Sequence, residues 1–228
     1  MGNEDYIFYG DSFNAPYGVK STEQVYRLSK KIVQRFLKQN VKAIVIACNT
    51  ATSASASRLR KEYPELPIIG LEPALKPAVL HKKNSTVLVM ATPLTLKEKK
   101  FENLMNRFED QAKIIKLPAP DLVEFVERGE IDTPELKKYL RSILNPYLRN
   151  IDAVVLGCTH FPFAKRAIQQ IVGNDVYVVD GGAGAARELR RLLEAKNERR
   201  KENRIGKIEF LNSNPCLLYT SPSPRDST

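Results

Sequence analysis

The 228-residue chain has no apolar run near the roughly 20 residues that a membrane-spanning helix needs. It opens on Met1-Gly-Asn-Glu-Asp5, polar and acidic, whereas a secretory signal carries a basic start and an apolar core. Cysteine is scarce: three residues, far apart and odd in number, exclude a disulfide framework, and no Cys-x-x-Cys occurs. A reducing cytoplasm is the simplest home for such thiols. There are only two histidines, unpaired in sequence, so no metal site is expected. Gly181-Gly-Ala-Gly184 is too short for a dinucleotide fingerprint and lacks the lysine of a phosphate loop. No pocket for a pyridoxal cofactor can be argued, so no cofactor is expected.

The net charge of +10 would suit a nucleic acid, an acidic surface or an anionic small molecule. Aromatic residues are little interleaved with the basic ones, and no nucleic-acid module is present. Much of the excess lies between Arg187 and Arg204, mixed with Glu188, Glu194, Glu198 and Glu202. That spacing describes a solvated helix face. Nucleic acid is therefore not the expected partner.

Two stretches look like copies of each other: Val41-Lys-Ala-Ile-Val-Ile-Ala-Cys48-Asn-Thr50 and Ile151-Asp-Ala-Val-Val-Leu-Gly-Cys158-Thr-His160. Each reads as a buried strand ending in a small residue, a thiol and a polar pair. Two equivalent strand ends, each with a thiol, imply two related half-structures facing one cleft. Two opposed proton carriers are what inversion of a carbon stereocentre requires, one for each face.

Strands are expected at Tyr6–Tyr9, Ala43–Ala47, Pro67–Leu71, Thr86–Met90, Lys113–Leu117, Asp152–Leu156, Val176–Val179 and Lys207–Leu211. Amphipathic segments, among them Thr22–Gln39, Leu94–Phe108 and Pro134–Leu148, alternate with them. The fold class is thus α/β, with mainly parallel sheets flanked by helices in two pseudo-symmetric domains. The expected division is 1–78 plus 183–212 for a discontinuous first domain and 79–182 for the second. Ligands of such sheets bind beyond the carboxyl ends of the strands, which places the active site in the interdomain cleft. Residues 213–228, rich in Ser and Pro, are expected to be a disordered or artefactual tail, and Cys216 goes with them.

A free thiol has a pKa of about 8.5, lowered where helix N-terminal N–H groups stabilise the thiolate. Cys48 precedes the capping residues Asn49, Thr50, Thr52 and Ser53, and Cys158 precedes Thr159 and a turn through Pro162. Both are therefore expected where a thiolate is stabilised. A strand-end cysteine can equally serve as a small apolar residue, but that leaves the matched pair of thiols unexplained. A Cys/His hydrolase built on Cys158 and His160 leaves Cys48 unexplained. His160 can stabilise a thiolate or shuttle a proton, while His81, in a basic turn, is expected to be solvated. Glu124 and Glu127 share a short helix, and the residues alone do not choose between them.

At this point the motifs resemble the glutamate racemases, cofactor-independent enzymes that interconvert L- and D-glutamate. The resemblance rests on Ala15-Pro-Tyr-Gly18, Ala47-Cys-Asn-Thr-Ala-Thr52, Gly70-Leu-Glu-Pro-Ala-Leu-Lys-Pro-Ala78, Ala91-Thr-Pro93, Leu156-Gly-Cys-Thr-His-Phe-Pro162 and Val179-Asp-Gly-Gly182, in that order. Aspartate and hydantoin racemases share the paired thiols but fit the Pro-Tyr-Gly and Glu-Pro-Ala elements less well. The resemblance implies that Cys48 handles the proton on the D-glutamate side and Cys158 on the L side, with Glu127 and His160 assisting. It implies substrate contacts from Tyr17, Gly18, Asn49, Thr50, Thr92, Thr159 and His160. It implies a cytoplasmic isomerase that supplies D-glutamate for peptidoglycan, cell-wall biogenesis and cell shape, and it allows a homodimer. It also implies a preceding strand and helix that supply an acid for the first thiol, so the chain is expected to be a fragment whose own activity does not follow from the resemblance. The other class of reading is a protein that keeps this fold and only binds a partner or an anion.

Overall fold

The computed structural model describes residues 2–214, so Cys216 and the rest of the expected tail lie outside the described residues. The chain forms β1 (Tyr6–Gly10), α1 (Thr22–Leu37), β2 (Ile44–Ile46), α2 (Asn49–Glu62), β3 (Ile68–Gly70) and α3 (Leu75–His81). It continues through β4 (Thr86–Ala91), α4 (Pro93–Lys97), α5 (Lys99–Asn106), β5 (Lys113–Pro118), α6 (Asp121–Glu127), α7 (Pro134–Leu144) and β6 (Ala153–Leu156). It ends with α8 (Lys165–Val172), β7 (Tyr177–Asp180), α9 (Gly182–Ala195) and β8 (Ile208–Asn212). All eight expected strands are present. No described helix is long and apolar enough to cross a membrane.

The larger sheet runs β5-β4-β6-β7, all parallel. Helices cover both of its faces, which is why its two central strands are apolar without interruption. Leu88 and Met90 of β4 point into one core with Leu122, Leu136, Leu140, Leu144 and Ile168. Val87 and Val89 point into the other with Leu75, Val79, Phe101 and Val155. Burial of each such side chain contributes about 1.5–3 kcal/mol, so this half carries most of the driving force. α3 packs in this second core, which places residues 75–78, expected with the first half, against the larger sheet.

The first half is built differently. β2 pairs with β3 and β1 pairs with β8, both in parallel, as two separate two-stranded ladders. α1 starts with a capping box, Ser21 and Gln24 each accepting the other's backbone N–H. Its Tyr26 and Val33 pack on Ile44, Leu59 and Ile68. α9 returns the chain to this half, setting Leu189 and Leu193 on Ile69. Ser213, expected in the tail, extends the β1–β8 ladder: its N–H donates to the Gly10 carbonyl at 2.9 Å.

Three further expectations are corrected. The helix expected over 94–108 is two helices, because Glu98 is extended (φ −66°, ψ 132°). The break turns Glu98 towards Ser53 of α2, 3.4 Å away, and lets Lys100 reach Glu72 at 2.7 Å. The basic run is helical only to Ala195. Beyond it, Arg200 and Arg204 pair with Asp5, so these charges fasten the start of β1 to the approach to β8. His81 is not simply solvated, since its ring stacks on Tyr177 at 4.4 Å between centroids.

Candidate active site

The residues singled out by sequence gather at the carboxyl ends of β1, β2, β4 and β6. Cys48 follows β2 and is the N-cap of α2, with an extended backbone (φ −149°, ψ 124°). Its sulfur accepts from the Ala51 N–H at 3.5 Å. Asn49 and Thr50, the first residues of α2, are buried beside it. Thr52 anchors this turn by donating its hydroxyl to the Ile46 carbonyl at 3.1 Å. The thiol was expected to be shifted towards thiolate. Burial instead pushes it up, against the opposing pull of the Ala51 and Thr50 N–H groups and the Thr50 hydroxyl.

Cys158 follows β6 in the equivalent place. Gly157 before it donates its N–H to the Met90 carbonyl at 2.7 Å and lies so close to β4 that a Cβ would sit 2.8 Å from that oxygen. Only glycine fits this contact, and the contact fixes where the thiol stands. The Cys158 sulfur is 3.7 Å from His160 Nδ1, and His160 Nε2 is 2.5 Å from Glu127 Oε1. The carboxylate holds the proton on Nε2, which leaves Nδ1 as the acceptor facing the thiol. Thiol, imidazole and carboxylate thus form one chain that ends at exposed Glu127 on α6. Glu124 takes no part in it and lies 3.9 Å from Arg128. Burial raises the Cys158 pKa to about 11. The His160, Thr159 and Phe161 N–H groups pull it down, and the nearby Cys48 charge pushes it further up. Cys48 is thus near enough to act on the Cys158 sulfur.

The Cys48 side has its own support. Tyr17, in a 3-10 turn with Gly18, packs against Val25, Ala51 and Cys48. Its hydroxyl donates to Asp11 Oδ2 at 2.6 Å. Burial and this hydrogen bond raise the Tyr17 pKa far above the tyrosine range, so the phenol stays neutral. Sequence reasoning missed Asp11, because turn chemistry alone accounts for Asp after a strand. The available signal was its place just beyond a strand's carboxyl end, as for Cys48 after β2 and Cys158 after β6. Thr92 caps α4, and its hydroxyl shares a hydrogen with that of Thr95 at 3.0 Å. Thr159 lies between Cys158 and His160 and supplies one of the N–H groups on the Cys158 sulfur.

The raised Cys158 pKa makes a stability prediction with a definite sign. The folded protein keeps the proton after the unfolded chain has lost its own, so the unfolded state binds fewer protons in that interval. Stability therefore falls as pH rises from the ordinary thiol range, about 8.5, towards about 11. Denaturant titrations of wild type and Cys158→Ala across this interval should differ in slope, the variant losing less stability. Equal slopes would show that the thiol is not held protonated.

Comparison with known proteins agrees with this arrangement. Residues 2–189 match the family model described as Asp/Glu/Hydantoin racemase. A glutamate racemase of Clostridium perfringens is 49% identical over 214 residues, 93% of this chain and 82% of that protein. The structure of Escherichia coli glutamate racemase with L-glutamate and the activator UDP-MurNAc-Ala superposes with a TM-score of 0.80 at 30% identity, over 95% of this chain and 85% of that one. Francisella tularensis glutamate racemase with D-glutamate gives 0.79 at 27% identity, over 93% and 79%. The strand-end thiols, the parallel sheets and these likenesses converge: the chain belongs to the Asp/Glu/Hydantoin racemase family.

Proposed function

We propose that this chain interconverts L- and D-glutamate without a cofactor, Cys158 working on the L face of Cα and Cys48 on the D face. The observation that carries the reading is the pair of thiols at the ends of β2 and β6, each at the equivalent place after its strand, with Cys158 near enough to Cys48 to feel its charge. From L-glutamate, the Cys158 proton moves to His160 Nδ1, and the thiolate then takes the Cα proton. The electron pair of the C–H bond passes into the carboxylate as Cα flattens. The Cys48 thiol gives its proton to the opposite face, leaving D-glutamate and a Cys48 thiolate held by the Ala51 N–H and Thr50. The reverse reaction uses the same steps backwards. Both thiols rest protonated, so each can donate, and the His160–Glu127 chain supplies the means to unmask one of them.

In this reading Tyr17, Gly18, Asn49, Thr50, Thr92, Thr159 and His160 bind the substrate's carboxylates and amine. Glutamate is the substrate named for the relatives above, and its D form would serve peptidoglycan synthesis in the cytoplasm. The test is to follow optical rotation of L-glutamate in D2O with the purified chain. One deuterium should enter Cα for each inverted molecule. L-Aspartate turned over faster than glutamate would move the chain to another branch of the family, and no inversion of either would refute the assignment.

Glu127→Gln should lower kcat/KM about 10²-fold, the usual worth of a positioned acid–base group. The fall must be equal from L- and D-glutamate, because mirror-image substrates have an equilibrium constant of one. Unchanged kcat/KM would remove Glu127 from the proton chain.

A further inference from the structure

One short segment, residues 70–73 between β3 and α3, touches both thiol-bearing turns. On the Cys48 side the Ile46 carbonyl, two residues before the thiol, accepts twice. The Leu71 N–H donates to it at 3.2 Å and the Thr52 hydroxyl at 3.1 Å. Thr52 also donates its N–H to the Cys48 carbonyl at 2.8 Å, and its side chain is buried. The Thr52 methyl lies against Gly70, where a Cβ would collide with it and stand 2.9 Å from the hydroxyl oxygen. On the Cys158 side Pro73 backs Gly157, the residue before the thiol, 3.6 Å from the place a Cβ would take.

The segment is held on its other sides as well. The Glu72 carboxylate pairs with Lys100 Nζ of α5 at 2.7 Å. The Glu72 carbonyl lies against Gly181, where a Cβ would meet the oxygen at 2.5 Å. Thr52 cannot turn aside, because a β-branched side chain is stiff at χ1. Rotation of this one would also break its bond to the Ile46 carbonyl. The row Cys48, Thr52, Gly70, Pro73, Gly157 and Cys158 contains no long side chain that could absorb a displacement. A shift at one end of such close packing is passed to the other.

We propose that residues 70–73 are a rigid spacer that sets the separation of the Cys48 and Cys158 sulfurs, with Gly70 and Thr52 as the positioning residues on the Cys48 side. This rests on the two-thiol reading above and adds why that reaction needs a fixed gap. Each sulfur must reach Cα from its own face while the substrate stays where it is. A wider gap leaves one sulfur within reach of Cα and takes the other out of reach. Proton removal at the near face then survives, and delivery of a proton to the far face does not. Gly70 and Thr52 act through the Cys48 turn, so their effect is read in the balance between these two half-reactions.

Gly70→Ala is the test, made in the full chain with Cys216→Ser so that only Cys48 and Cys158 remain. The gap is read without turnover, from bis-methanethiosulfonates of graded length that join the two thiols. The shortest reagent that bridges them is expected to be longer in Gly70→Ala than in its parent. Inversion of glutamate in D2O should fall about 10²-fold, the effect of a displacement of about 1 Å. Exchange of the α-hydrogen with retention should fall less, so the ratio of exchange to inversion rises at least about tenfold. Thr52→Ser removes the methyl and keeps the hydroxyl. Added to Gly70→Ala, it should recover at least about tenfold of the lost inversion, as coupled neighbours do, and shorten the bridge again. Gly181→Ala pushes on the same segment at Glu72 and should lengthen the bridge likewise. These last two variants carry the test where Gly70→Ala alone does not melt as a folded protein. Unchanged bridging length and ratio in folded variants overturn the spacer, and so does a loss that Thr52→Ser does not relieve. A bridge that lengthens as expected in a protein whose parent inverts no glutamate upholds the spacer and removes the two-thiol reaction.

Discussion

Replacing either thiol with a hydroxyl, in Cys48→Ser or Cys158→Ser, lowers racemisation of glutamate at least about 10³-fold, because a serine hydroxyl is far too weak an acid to become the base. The two variants are expected to fail in different ways. Cys48→Ser retains the Cys158–His160–Glu127 chain. It should still exchange the α-hydrogen of L-glutamate with solvent, at the L face and with retention. Cys158→Ser retains the Cys48 thiol under the α2 N–H groups and should exchange the α-hydrogen of D-glutamate instead. Neither should convert the exchanged material to its mirror image at more than a trace rate. Chiral chromatography with mass detection of deuterium reads both quantities in one experiment. The sulfur-to-oxygen change is nearly isosteric, so thermal melts close to wild type separate lost chemistry from lost folding. Full racemisation by either variant would end the two-base account. Exchange from both enantiomers by one variant would mean that a single group reaches both faces.

This outcome also bears on what could be read without a structure. The eight strands were legible because each is a short β-rich run closed by Gly, Pro, Asp or Thr. The thiols were legible because the segments ending at Cys48 and Cys158 repeat one another. What remained hidden depended on contacts distant in sequence. The break at Glu98 interrupts a run with no helix breaker, and it follows from the partners Ser53 and Glu72 on the other half. The choice of Glu127 over Glu124 depends on how α6 lies against the turn carrying His160, a contact across 33 residues. The asymmetry of the site was equally hidden. The two strand ends match, yet Cys158 has a histidine–carboxylate chain, and Cys48 has the N-terminus of α2 with the Tyr17–Asp11 pair beside it. The protonation of the resting thiols was misjudged because helix N-terminal N–H groups are visible in sequence, whereas the burial that outweighs them is not.

Gly157→Val is expected to cost both stability and turnover, and Gly157 is the residue where those two effects should be hardest to separate. A Cβ there would meet the Met90 carbonyl oxygen at 2.8 Å and the Ala91 Cβ at 3.0 Å, with Pro73 at 3.6 Å behind them. None of these can yield cheaply. Met90 and Ala91 belong to β4, which lies between both cores with its side chains from Val87 to Ala91 fully buried. The new side chain must therefore lift the end of β6 from β4 and stretch the 2.7 Å bond from Gly157 N–H to Met90 O. Forcing extra carbons into such packing costs about 1–3 kcal/mol. The next residue is Cys158, so the same displacement moves its sulfur relative to His160 and the substrate. A shift of about 1 Å at a reacting group costs about 10²-fold in rate. Gly184→Ala is the matched control, since nothing lies within 4 Å of its would-be Cβ in α9. Gly184 stands in the first turn of α9, so alanine there should raise stability by less than about 1 kcal/mol and leave turnover alone. Melting curves and kcat for the two variants decide the matter. If Gly157→Val melts and turns over as wild type does, the close approach of β6 to β4 does not position the Cys158 thiol.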